Sequence, residues 1–259
     1  MGIVRVQGNK KATAVSNTYT IALDSTPVEG NIIILVHGGY DSGSNKVISS
    51  VVQTNVTWSQ AKGNSQYRSS NGWYIDVEIW IGIVGASASK NIVVTTTAIT
   101  EYIAGDACEY SGVKTISPLD KTASNGGQAV TAADVGTTAT TTQANELWIG
   151  AAAVGSSGGS DGNLSNPTNG FTLLDGAMGY PLTVGYFEKI VTAKGTANTS
   201  ATIAASNTYA GCIATFIATV QPPKGASHSI APLLAVLDLL QCRPRSFSER
   251  IPILRPRRF

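Results

Sequence analysis

The chain has 259 residues, 13% of them charged, and a formal net charge of +2, so nothing in its totals suggests a disordered acidic or basic chain or a nucleic-acid binder. Thr, Ser, Gly, Ala and Val dominate. β-Branched residues favour strands and Gly, Asn and Ser supply turns, so the composition is that of an all-β protein.

The N-terminal stretch MGIVRVQGNKK has no long apolar core and no small-residue cleavage site, which predicts synthesis in the cytoplasm without a signal peptide. No apolar run reaches the length of a membrane-spanning helix, so no membrane partner is expected. Strand-like segments then follow at 19–23, 31–37, 72–84, 92–99, 102–110, 146–154, 171–174, 182–191, 201–205 and 209–220. The clearest is 72–84. There Ile75, Val77, Ile79, Ile81 and Ile83 fall on one face, and Tyr74, Asp76, Glu78 and Trp80 on the other. That period of two predicts a half-buried antiparallel strand with a solvated or interface-forming polar face.

Between these segments lie SGSN, KGNSQ, SNGG, GSSGGSDGN and KGTANTS, all of turn or loop composition. Many short strands without amphipathic helices between them predict an antiparallel jelly-roll β-sandwich over residues 1–220.

The composition changes at Pro222-Pro223. Residues 229–241 could form a short helix begun by Ser229, with Pro232 in its first turn. Six of the eight arginines sit in the last 17 residues. Prolines there forbid regular ladder bonding, so residues 221–259 read as an extended arm lying along a neighbouring subunit. Its predicted contacts are Arg243, Arg245, Arg250, Ile253, Leu254, Arg255, Arg257, Arg258 and Phe259. The apolar members suit a protein groove better than nucleic acid.

Candidate chemistry is sparse. His37-Gly38-Gly39 could supply oxyanion-hole amides, and Gly155-Ser156-Ser157-Gly158-Gly159 satisfies G-x-S-x-G, with His228 downstream. A nucleophile elbow needs a strand entering a helix, whereas this segment continues as a polar, Gly-rich loop. An esterase of α/β-hydrolase type is therefore the third reading, and Gly38-Gly39 reads as a sharp turn ending a core strand. Asp76 and Glu78 are neighbours on one strand face, the spacing of a solvated surface more than of two carboxyls facing each other across a sugar. Trp73, Tyr74 and Trp80 are the candidate glycan-contacting aromatics, set against a role as core or interface anchors. Cys108, Cys212 and Cys242 lack CxxC spacing, and two histidines rule out a His-rich centre. The loops at Asp41 and Asp161 are too poor in carboxylates for calcium. No metal, cofactor or catalytic residue is assigned.

Three segments carry a resemblance. Thr26-Pro27-Val28-Glu29-Gly30-Asn31 leads into IIILVHG. Cys108-Glu109-Tyr110-Ser111-Gly112-Val113 is followed by Ser117-Pro118-Leu119-Asp120. Ala144-Asn145-Glu146-Leu147-Trp148-Ile149-Gly150 precedes a terminal AGCIATFIATV. Together they resemble the jelly-roll β-sandwich domains of bacteriophage structural proteins and of some prokaryotic surface proteins, over about residues 10–220. The resemblance implies a non-enzymatic virion protein on the particle exterior, a capsid-decorating or tail-associated subunit. Its partners would be other copies of itself and other virion proteins. The alternative is a carbohydrate-binding or adhesive module facing a host surface glycan.

Overall fold

A computed structural model of the chain describes residues 2–156, 158–176 and 178–219, and the structural statements below refer to these. The predicted arm, including the 229–241 helix and its contacts from Arg243 to Phe259, lies outside the described residues, as do Cys242, His228 and Ser157.

The described residues form an antiparallel β-sandwich of two six-stranded sheets, as the composition predicts. The first sheet holds β1 (Val4–Ala22), β2 (Ile32–Ser42), β3 (Ile48–Val52), β4 (Val56–Arg68), β5 (Trp73–Val84) and β6 (Asn91–Ser111). Its order is β1-β6-β2-β5-β4, with β3 beside β6. The second holds β7 (Leu119–Asp134), β8 (Asn145–Gly155), β9 (Leu164–Ser165), β10 (Thr172–Asp175), β11 (Leu182–Thr192) and β12 (Ser200–Ile217). Read from β7, its order is β7-β12-β8-β11-β10, with β9 beside β12. Adding six to each strand number of the first sheet reproduces the second.

The chain thus completes one sheet before starting the other, whereas a jelly roll passes its strands back and forth between its two sheets. The sandwich is as expected; its winding is that of two like halves.

The likeness extends to irregularities. The β1–β6 ladder breaks between Ser16↔Thr100 and Thr18↔Thr95, and the β7–β12 ladder between Val130↔Asn207 and Ala132↔Thr202. Immediately before each break a non-glycine residue has left-handed backbone, Val15 (φ 49°) and Ala129 (φ 52°). Side chains rarely adopt that region. Its presence at both breaks marks a corner at which the long strand pair changes direction.

Beyond each corner the pair forms a flap that packs on the outer face of its own sheet. Tyr19, Ile21, Ile92 and Val94 join Ile33 and Leu35 in one outer core. Ala133, Val135, Ala201 and Ile203 join Trp148, Val154 and Phe187 in the other.

Between the sheets lies the main core. The β-branched run of β2 sends Ile32, Ile34 and Val36 inward, β5 adds Ile75, Val77 and Ile79, and Leu147, Ile149, Val184, Tyr186 and Phe216 face them. Burying each such side chain contributes about 1.5–3 kcal/mol. Tyr110 and Tyr186 satisfy their hydroxyls on each other at 3.0 Å across this core. Cys108 and Cys212 are buried free thiols and do not bridge.

Segments predicted as separate strands are joined in the structure. Residues 92–99 and 102–110 both belong to β6, and 201–205 and 209–217 to β12. KGNSQ lies within β4 and SNGG within β7, where turns were expected.

Candidate functional site

β2 does not turn at Gly38-Gly39. It runs through both glycines to Ser42, paired with β5 on one side and β6 on the other. The glycines make room instead. A Cβ on Gly38 would strike Val184 of the opposite sheet, and one on Gly39 would lie 2.7 and 2.9 Å from the carboxylate oxygens of Asp76.

His37 is consequently a mid-strand residue on the outer face, directly opposite Glu78 of β5, while Gly39 stands opposite Asp76. The polar face of β5 was expected to meet solvent. It does not: Asp76 and Glu78 are each 1% exposed, and His37 is fully buried. The flap covers them, because the β1–β6 pair folds back over this face. Tyr19, on the flap, places its hydroxyl 2.8 Å from Nδ1 of His37. It fits there because position 105, beside His37 on β6, is a glycine whose Cβ would occupy the space of the Tyr19 hydroxyl.

Glu78 is well held. Oε1 accepts the Ile48 amide at 2.6 Å, and Oε2 accepts Gln60 Nε2 at 2.6 Å and Trp80 Nε1 at 2.9 Å. Asp76 and His37 are not. Nε2 of His37 and both carboxylate oxygens of Asp76 are buried without a hydrogen bond of good geometry. The Lys46 amide lies near enough to Asp76 to favour its ionised form, yet completes no such bond. His37 Nε2 and Asp76 Oδ2 stand 3.6 Å apart. Donor atoms of His37, Asp76 and Glu78 all fall within 4.8 Å of one another. The two-residue alternation of β5 and the cross-strand register with β2 are what bring them together.

Burial dominates the electrostatics. It lowers the His37 imidazole to a pKa of about 3. It raises Asp76 well above the usual carboxylate range, with the Glu78 charge adding to the effect. Glu78 is raised by burial, against the pull of its three donors. Tyr19 is raised by burial and by the two nearby acids. Such a pocket disfavours charge on the imidazole and on Asp76 unless a cation compensates it. The donor set of one imidazole nitrogen and two carboxylates suits a divalent transition ion. The sequence assigned no ligand here because Asp76 and Glu78 read as a solvated face and His37 as the end of a strand.

Other expected sites fall elsewhere. Trp73, Tyr74 and Trp80 share no platform. Trp73 packs against the inter-sheet core and lies tilted against Tyr40, with ring centroids 4.5 Å apart; Tyr74 points to the opposite face against Tyr67, at 5.0 Å; Trp80 is committed to Glu78. Ser156 closes its own turn, its hydroxyl donating to the Gly158 carbonyl at 3.0 Å. From there the chain goes through a turn into β9, not into the helix of a nucleophile elbow.

The segments carrying the resemblance meet at strand starts. Glu109 accepts the Val28 amide at 2.8 Å and Asn31 Nδ2 at 2.6 Å. Asp120 accepts the Thr142 amide at 2.6 Å just before β8. These acids tie the connections that enter β2 and β8.

Comparison of the chain with protein-family models, curated proteins and solved structures gives no match.

Proposed function

We propose that this chain is a non-enzymatic structural protein of a virus particle of a prokaryotic host, an exterior subunit that decorates the capsid or belongs to the tail. It would join other copies of itself and other virion proteins. The observation that carries this reading is the outer strand β1. It is 19 residues long and pairs with β6 on one side and, among the described residues, with no strand on the other. It presents Val4, Val6 and Val15 at 54%, 47% and 73% exposure. A long edge strand left open on one side and carrying exposed valines can be extended by strand addition from a second chain. The Arg-rich segment 243–259 would add a second contact, multiplying weak interactions over a symmetric lattice.

Light scattering and electron microscopy of the full chain test this. Concentration-dependent assembly is expected, lost in a Val4→Lys/Val6→Lys variant and in a variant lacking residues 222–259, each with an unchanged β-type circular dichroism spectrum. A wild-type protein that stays monomeric at high concentration and binds no particle would overturn the reading.

A further inference from the structure

We infer that His37, Asp76 and Glu78 form a binding site for one divalent first-row transition cation, of which Zn²⁺ is the best fit, beneath the β1–β6 flap. This site is independent of the assembly role.

The unpartnered atoms carry the inference. A buried donor or acceptor left unmade costs free energy, and three such atoms, His37 Nε2 and both Asp76 oxygens, belong to two side chains that face each other through Nε2 and Oδ2. Side chains of this kind could have satisfied one another; they are instead held 3.6 Å apart. In a tetrahedral zinc site with bonds of about 2.0–2.1 Å, ligand atoms stand about 3.3 Å apart, so the His37–Asp76 edge already has the right span. Glu78 completes the set by a small inward movement: Oε1 keeps one lone pair beyond that used by Ile48, while both on Oε2 are taken by Gln60 and Trp80.

Tyr19 supplies the outer support. Metal-bound histidines usually donate the other ring N–H to an oxygen, which fixes tautomer and orientation. Here His37 Nδ1 and the Tyr19 hydroxyl are 2.8 Å apart; in the tautomer that zinc binding requires, Nδ1–H donates to that hydroxyl and Nε2 keeps its lone pair for the metal. Gly39 gives the Asp76 carboxylate its place, and Gly105 does the same for Tyr19. Of the three side chains, Glu78 is the one that lines a surface depression, with Val47, Gln60, Gly63 and Ser65.

Oxygen-only cations fit less well. Calcium takes six to eight oxygen ligands, and magnesium dehydrates reluctantly, whereas this pocket offers one nitrogen and few oxygens in a closed space.

The test uses the tag-free full chain after chelator dialysis. Zn²⁺ titrated by calorimetry should bind with a stoichiometry of one. At a hundredfold excess over Kd it should raise Tm by roughly 5–10 °C. Co²⁺ should bind with the visible absorption bands of a four- or five-coordinate ion. Asp76→Asn, which keeps side-chain shape, should weaken Zn²⁺ binding at least a hundredfold while the circular dichroism spectrum is unchanged. Asp161→Asn, an exposed acid far along the chain, should have no effect. Tyr19→Phe should weaken binding by about 10–100-fold through lost orientation. Absence of stoichiometric binding by the folded wild type, or binding that survives both Asp76→Asn and Glu78→Gln, would overturn the inference. Either result leaves the assembly reading to be judged by its own experiment.

Discussion

The two halves follow one path and fill the space under their flaps differently. In the first, His37 on β2 stands between Glu78 of β5 and Gly105 of β6. In the second, the corresponding row is Ala152 of β8 between Gly185 of β11 and Gly211 of β12. The neighbouring row pairs Gly39 with Asp76 in one half and Val154 with Thr183 in the other. Around Ala152 the second half packs Trp148, Leu164, Phe171 and Phe187 into an apolar outer core. The fold is therefore indifferent to ionisable groups at this place, since one half does without them. Topology does not require the polar cluster, and stability alone would favour its replacement.

The largest effect expected from breaking this comparison is on the apolar side. Phe187→Ala should cost about 3–5 kcal/mol in urea denaturation, because a fully buried aromatic leaves a cavity between sheet and flap. Smaller and of opposite sign is the effect of making the first half resemble the second. In chelator-treated protein, His37→Leu with Asp76→Val should gain about 1–3 kcal/mol, since it removes buried groups lacking partners. The same variant should lose any stabilisation by Zn²⁺. A loss of stability in the chelated double variant would mean that the cluster supports the fold by itself.

A third effect, of similar size to the second, concerns pH. In the second half, burial and the nearby Asp120 push Glu146 up to about 7 from 4.5. The folded protein then binds a proton that the unfolded chain has released, so this contribution is present below about pH 4.5 and is lost as pH rises through about 7. Glu146→Gln should flatten that decline by about 1–3 kcal/mol between those limits, measured as unfolding free energy against pH.

Much of the sheet interior was legible in the sequence, because the alternation of Ile75 to Ile83 and the run of β2 are strong apolar signals. The outer strands were less so. VRVQGNKKATAVSN, VTWSQAKGNSQYR and LDKTASNGGQAVTAAD form most of β1 and all of β4 and β7, yet each is half-exposed and polar, so no period of two marks it. Gly38-Gly39 and SNGG looked like turns because glycine also serves where another chain segment approaches closely. The candidate site was half legible. Alternation showed correctly that Asp76 and Glu78 share a face, but strand periodicity says nothing about what covers that face. The covering flap depends on a corner at Val15 and on pairing between residues about eighty positions apart, as in Thr18↔Thr95. Neither leaves a local signal.

Sequential filling of the sheets also sets the order of events during synthesis. Residues 4–111 contain every strand of the first sheet, so it can assemble while the remainder is still being translated. At about 5–20 residues per second, the second half follows over roughly 5–20 s. Throughout that interval the inward row of Ile32, Ile34, Val36, Ile75 and Val77 has no partner sheet. The nascent chain is then most open to capture by a chaperone, or to pairing with the first half of a neighbouring nascent chain.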